Sequence, residues 1–184
     1  VSGDGADQLG GDGNNNRLES GGGNDTLVAG NGNDTLSGGA GNDTFEFERG
    51  NDVDTIIDFD LTDTDSDGFY DDQLDVSALR NLSGNPVTTD DVVVDDDGSG
   101  NARLTFPEGE VIILQGIAPA QMSSPSQQVA AGIPCFTSGT KIMTPAGEVL
   151  IETLKPGANF GGWVDPFGSR TTDRYAEQLW LTAF

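Results

Sequence analysis

The chain contains no histidine, one cysteine, and only 8 Lys and Arg against 31 Asp and Glu in 184 residues. Each shortage removes a class of chemistry. Without histidine there is no imidazole to protonate a leaving group near neutral pH. A single cysteine cannot build an internal disulfide framework. So few bases argue against a nucleic-acid partner, because phosphate binding rests on Lys and Arg. The longest aliphatic run is 111–114, far short of the roughly 18 residues of a membrane span. There is no initiator Met and no charged-then-apolar leader, so Val1 reads as a mature or cut end.

Glycine is plentiful, at 27 residues, and hydrophobic residues make up only 34% of the chain. A large conventional core is therefore not expected, and the net charge of −23 brings self-repulsion that cations would relieve. The charge is uneven. Residues 1–134 hold 26 acids against four bases (Arg17, Arg49, Arg80, Arg103), whereas residues 135–184 hold five acids against four bases. That change places a boundary near 134.

An apolar residue recurs every nine positions at Leu9, Leu18, Leu27, Leu36 and Phe45. Two residues before each stands Asp7, Asn16, Asp25, Asp34 or Asp43; four before stands Gly5, Asn14, Gly23, Gly32 or Gly41; six before stands Gly3, Asp12, Gly21, Gly30 or Gly39. The second copy departs from the pattern at three places. The apolar column suits an inward-facing position on a strand of about three residues, and the glycines suit turns with positive φ. One Asp per turn beside converging carbonyls offers oxygen ligands only, the donor set of a hard cation. Calcium fits better than magnesium, which holds its waters more tightly. A flexible Gly/Asn linker has no reason to keep a nine-residue apolar beat. An ice-binding solenoid, prompted by the column Asn15, Asn24, Asn33 and Asn42, would want Thr two residues earlier, where Gly13, Gly22, Asn31 and Ala40 stand.

On these residues the segment 1–46 resembles the RTX (repeats-in-toxin) nonapeptide family. The resemblance implies an all-β fold, a short right-handed parallel β-roll with two nonapeptides per turn and calcium between successive loops. It would stack Asp7, Asp25 and Asp43 along one edge and Asn16 and Asp34 along the other, with Gly3, Gly5, Gly21, Gly23, Gly30, Gly32, Gly39 and Gly41 shaping the loops. Five copies make only about two and a half turns, so the roll must lean on neighbouring chain.

Residues 47–116 read as an acidic β-cap. A repeat-like piece at 51–56 arrives two residues late, and "VDTIIDFD" with "DQLDVSAL" resembles the segment that closes the roll in secreted RTX proteins. Strands are expected at 92–94, 102–106 and 111–115, forming a small antiparallel sheet over the open end. Within the cap, Asp63, Asp65 and Asp67 alternate before Gly68, with Asp71 at the ninth place, which resembles half of an EF-hand-type calcium loop. Leu74 stands where the bidentate Glu belongs, so closure falls to Asp72 or Asp75, and an exposed acidic turn is the competing reading. Asp95, Asp96 and Asp97 read as a solvated hairpin turn. Residues 117–134 carry no charge and read as a linker with a short helical turn near 125–131.

"CFTSGTKIMTPAGEVLIETLKPG", residues 135–157, resembles the opening block of the Hint (hedgehog/intein) superfamily, with Cys135 as the candidate nucleophile. The resemblance implies an N-to-S acyl shift in which the thiol attacks the Pro134 carbonyl. The family needs a His to protonate the departing nitrogen, and none is present. Only 50 residues remain from Cys135, and the match fails after Gly157, so the segment reads as incomplete, Cys135 as inert, and the tail 158–184 as unassigned.

The expectation is a calcium-binding structural module, not an enzyme, that folds on meeting calcium outside the cell. The RTX resemblance implies a secreted bacterial protein, a type I secretion channel as partner, and no nucleic acid or transmembrane segment. The alternative is a self-processing protein cleaved between Pro134 and Cys135.

Overall fold

The computed structural model describes residues 3–50 and 52–135, and the backbone of 141–144 and 147–150. The chain divides at Cys135 into two units. Within the first, short parallel strands alternate between two sheets. One sheet contains β1 (Gln8–Gly10), β3 (Thr26–Val28), β5 (Thr44–Glu46) and β7 (Gln73–Asp75), in that order. The other runs β2 (Arg17–Gly22), β4 (Thr35–Ala40), β6 (Val53–Ile56), β10 (Val111–Leu114), β9 (Ala102–Thr105) and β8 (Val93–Asp96).

The nine-residue beat sets the register. Leu9 lies opposite Leu27, Leu27 opposite Phe45 and Phe45 opposite Leu74, while Leu18 lies opposite Leu36, Leu36 opposite Ile56 and Ile56 beside β10 opposite Leu114. One nonapeptide serves each sheet, so two make a coil of a parallel β-roll and the apolar columns meet inside. Leu27, Leu36, Phe45, Ile56 and Leu114 have no exposed surface, whereas Leu9 and Leu18 in the first coil are half-buried. Full burial of such side chains is worth about 1.5–3 kcal/mol each. Thr26, Thr35 and Thr44 beside the apolar column add the β-branched preference for a pleated surface.

Two expectations are corrected. The roll does not stop at 46, because β6, β7 and β10 continue its sheets in parallel register. In the sheet that contains β10, β9 pairs antiparallel with β10 and β8 antiparallel with β9, so the 47–116 segment extends the roll's own sheet instead of forming a separate cap. Nor are residues 117–134 a linker: Met122, Ala131 and Ile133 have no exposed surface. Here Ser124 caps α1 (Pro125–Ala130), accepting from Gln127 N at 3.3 Å, and Pro125 fills the first helical position, where a missing N–H costs nothing. The segment after the helix seals the edge of β7, with Leu74 N–H donating to the Ala131 carbonyl at 2.8 Å and Tyr70 N–H to Ala130 at 2.7 Å.

Beyond Cys135, β11 (Lys141–Thr144) and β12 (Gly147–Leu150) pair antiparallel with Thr144 opposite Gly147. The remainder of the Hint-like block, including 151–157, and the tail 158–184 lie outside the described residues.

Candidate metal centre

The Asp column lies where each loop enters its strand, and it forms two ladders. On one edge Asp7 N–H donates to Asp25 Oδ1 at 2.8 Å, Asp25 N–H to Asp43 Oδ1 at 2.9 Å, and Asp43 N–H to Asp72 Oδ1 at 3.0 Å. On the other, Asn16 N–H donates to Asp34 Oδ1 at 2.7 Å and Asp34 N–H to Asp54 Oδ1 at 2.8 Å. The expected division into two edges is thus what the coils build. One oxygen of each carboxylate holds the preceding coil. The second oxygens of Asp25, Asp34 and Asp43 are buried with no hydrogen-bond partner.

Buried carboxylate oxygens without donors are costly in a dry interior. Burial pushes Asp34 and Asp43 up from their ordinary range, and neighbouring acids add to it: Asp52 and Asp12 around Asp34, Asp25 and Asp58 around Asp43. Asp54 and Asp72 are each pushed up to about 7, first by burial and then by acids of the same edge. No base answers them. The ion pairs among the described residues are Arg17–Glu19, Arg49–Glu108 and Arg103–Asp95, all at the surface and none on a ladder.

The loops stack as closely as the ladders require. Gly39 has φ +96°, and a Cβ there would overlap the Gly21 carbonyl oxygen, so only glycine fits. Gly5, Gly21, Gly23, Gly30, Gly32 and Gly41 share the positive φ expected of them. The second copy, which carries Asp12 and Asn14 in place of glycine, turns differently. Asp12 Oδ1 accepts from Asn14 N–H at 2.9 Å, and Asn16 Oδ1 turns back to Asp12 N–H at 2.8 Å. Orphaned carboxylate oxygens beside stacked carbonyls fit a hard, oxygen-seeking cation such as calcium.

The outer Asn column has a structural task. Asn15 Oδ1 accepts from Asn33 N–H at 3.1 Å, Asn24 from Asn42 at 3.2 Å, and Asn33 from Val53 at 2.9 Å. These side chains brace consecutive loops, which accounts for the column without an ice-binding face.

Asp54 and Asp72 were missed as rungs because insertions interrupt the nine-residue count before each. The signal that survives is the Asp-x-apolar triplet, Asp54-Thr55-Ile56 and Asp72-Gln73-Leu74, in register with the earlier copies. Asp58 was also missed; it accepts from Ser37 Oγ at 2.7 Å and from Gly38 and Gly39 N–H at 3.2 and 3.0 Å.

In the acidic loop, Asp63, Asp65 and Asp67 bring one oxygen each within 4.8 Å of one another, all three exposed. Asp71 does not join them. Its carboxylate, buried, accepts from Thr64 N–H at 3.0 Å and Thr62 Oγ1 at 2.7 Å, and these bonds hold it below the usual range. The EF-hand-like ninth position is therefore a brace for the loop. Asp95, Asp96 and Asp97 form the expected solvated turn: Asp96 and Asp97 accept from Gly98 and Ser99 N–H, both at 2.7 Å, and Asp95 pairs with Arg103. Cys135 is free and half-buried; burial pushes its thiol up, and Asp90 pushes the same way, opposite to what a nucleophile needs.

A parallel β-roll whose two edges carry stacked oxygen ligands defines a class of cation-binding repeat. Residues 19–54 match the family model of the RTX calcium-binding nonapeptide repeat (four copies), and they are repeats of that type. Residues 149–184 match the model of a probable glycosyl hydrolase catalytic domain. No curated protein matches the chain. Among solved structures, the R3 subunit of the AlgE6 mannuronan C5-epimerase of Azotobacter vinelandii is 29% identical, with a TM-score of 0.41, over 65% of this chain and 76% of that one. None of these comparisons supports the Hint resemblance of 135–157.

Proposed function

We propose that the roll is a calcium-dependent structural module that folds as its two edges load with calcium. The observation that carries this reading is the set of buried, unpartnered second oxygens of Asp25, Asp34 and Asp43. Calcium, when bound, supplies the positive charge that no side chain of the ladders provides. Asp7, Asp25, Asp43 and Asp72 would hold it on one edge, and Asn16, Asp34 and Asp54 on the other, with the loop glycines allowing carbonyls to approach. Asp63, Asp65 and Asp67 are read as a further, exposed calcium loop. Without calcium the acids oppose compaction, so binding free energy becomes folding free energy. Such a chain suits export in an unfolded state through a type I channel, followed by folding outside the cell, where calcium modules bind at roughly 0.1–1 mM. RTX repeat proteins are typically secreted and bacterial, and among the described residues no helix is long and apolar enough to cross a membrane.

The test is circular dichroism of metal-stripped protein titrated with calcium and, in parallel, with magnesium. A β spectrum should appear with calcium at lower concentration than with magnesium. A spectrum unchanged by chelator would sink the reading.

The match of residues 149–184 to a glycosyl hydrolase model favours a second reading, in which the roll is the accessory part of a carbohydrate-acting enzyme. Release of reducing sugar from glycoside substrates by the longest available form of the protein would support it.

A further inference from the structure

Glu110 lies outside every repeat, in the turn between β9 and β10, yet it is only 3% exposed and its Oε1 is buried with no partner. Its Phe106–Glu110 turn is closed by Phe106 N–H donating to the Glu110 carbonyl at 2.9 Å, and Val111 N–H donates to the Asp52 carbonyl at 3.0 Å. These bonds lay Glu110 against the last loop of the second edge. Its carboxyl lies close enough to Asp54 and Asp52 to feel both charges, and to the Gly50 and Asp52 N–H groups to feel their dipoles. A Cβ on Gly50 would lie 3.3 Å from Glu110 Oε2 and would overlap Asp52 Oδ2, so those two oxygens flank the same small volume.

The charges acting on Glu110 are those of Asp54 and Asp52, both repulsive. The nearest base in sequence to that loop, Arg49, is taken by Glu108. Three acids therefore converge at the junction of roll and flank without a counter-charge, and one of them is aimed inward with an orphaned oxygen.

We infer that Glu110, Asp54 and Asp52 form an additional calcium site, outside the nonapeptide pattern, which clamps β10 to the last coil of the roll. The inference rests on the reading that the roll takes calcium. Among the described residues only Asp63, Asp65 and Asp67 bring three acidic oxygens within 4.8 Å of one another, so binding would draw Asp52, half-buried on its loop, onto the buried pair Asp54 and Glu110. Three carboxylates and nearby carbonyls make a hard-oxygen shell, which calcium tolerates in irregular geometry. The ion would couple the order of β8, β9 and β10 to calcium, although these strands carry no repeat.

The test counts calcium ions per chain by equilibrium dialysis at pH 7.5 on the full 184-residue protein, comparing wild type with Glu110→Gln and Asp52→Asn. Glu110→Gln keeps size and acceptor capacity; Asp52→Asn is the milder change, should the first variant fail to fold. Each should bind one ion fewer than wild type, with the remaining ions held at unchanged affinity. An unchanged count in the folded variants overturns the site. A wild-type protein that binds no calcium would sink the parent reading, which the unchanged count would not.

Discussion

Stripping calcium and raising the pH should unfold the roll. Asp54 and Asp72 are each 1% exposed, and burial followed by neighbouring acids pushes both from 3.8 to about 7. A carboxyl whose value is raised on folding is protonated in the folded chain where the unfolded chain has already ionised. The folded state then binds more protons, so its stability is complete below about pH 4 and is lost as pH climbs through about 7. Each such move is worth about 4 kcal/mol. The two residues end different ladders and do not contact one another, so together they remove on the order of 8 kcal/mol between pH 4 and pH 7. That is comparable with the roughly 5–15 kcal/mol that a whole domain has to lose. Glu110, pushed up to about 8 by burial and then by Asp54 and Asp52, extends the loss past neutrality. Urea denaturation of the metal-free protein, followed by circular dichroism from pH 4 to 8, measures this directly. Stability should fall steeply over that range, and Asp54→Asn should remove about a third of the fall, with Asp72 and Glu110 carrying the rest. A metal-free stability that is flat or rises with pH would refute the reasoning. With calcium present the proton becomes the competitor, so calcium affinity should rise through the same window.

Asp25→Ala should weaken calcium-dependent folding more than Asn16→Ala. It removes the carboxylate that accepts the Asp7 N–H together with a buried ligand, costing about 1–3 kcal/mol for the hydrogen bond alone, whereas Asn16 bonds a turn at the exposed first coil; equal shifts in the calcium midpoint would contradict the two-edge assignment. Amide exchange of the calcium-loaded protein should show strongest protection at β6, β7 and β10 and declining protection towards β1, where Leu9 and Leu18 are only half-buried. A uniform profile would speak against that gradient. Incubation with thiol or hydroxylamine should leave the intact mass unchanged; a fragment ending at Pro134 would restore self-processing at Cys135.

The parts of the fold that obey a count were legible. Asp7, Asn16, Asp25, Asp34 and Asp43 fall on the edges their spacing assigns, because an apolar residue every nine positions leaves little choice of register. The count fails at its interruptions. Asp54 and Asp72 occupy the next rungs, but insertions of different length precede them, and spacing cannot tell a late repeat from the start of something else. Asp71 shows a different failure: position nine of a loop motif does not say where the side chain turns, and here the carboxylate turns to Thr62 and Thr64. The uncharged 117–134 stretch looked like a linker because Pro, Ser and Gln are common in linkers, yet Met122 and Ile133 are core residues and Gly132, at φ +95°, packs against the Leu74 carbonyl. Burial of isolated apolar residues leaves no periodic signal.

The ladders also have a direction. In every rung the N–H of one coil is received by the carboxylate of the coil after it, so each acid is oriented by the chain before it and leaves its own N–H for the chain that follows. A repeat array with this polarity cannot satisfy its last coil from within, and nonapeptides added at that end only move the problem along. Here the downstream chain supplies the final acids in a form no repeat would. Asp72 takes Asp43 N–H with one oxygen and Asp60 N–H, at 2.9 Å, with the other, and Glu110 reaches back from the β9–β10 turn to the last loop of the second edge. The two ends are closed by different acids because the sheets end differently: one is sealed by the segment after α1, the other is prolonged by β10, β9 and β8. The flank is therefore not a lid on a finished roll. It supplies Asp72 as the terminal rung of one edge and lays Glu110 against the last loop of the other, so both ends of the roll are met by acids from outside the nine-residue count.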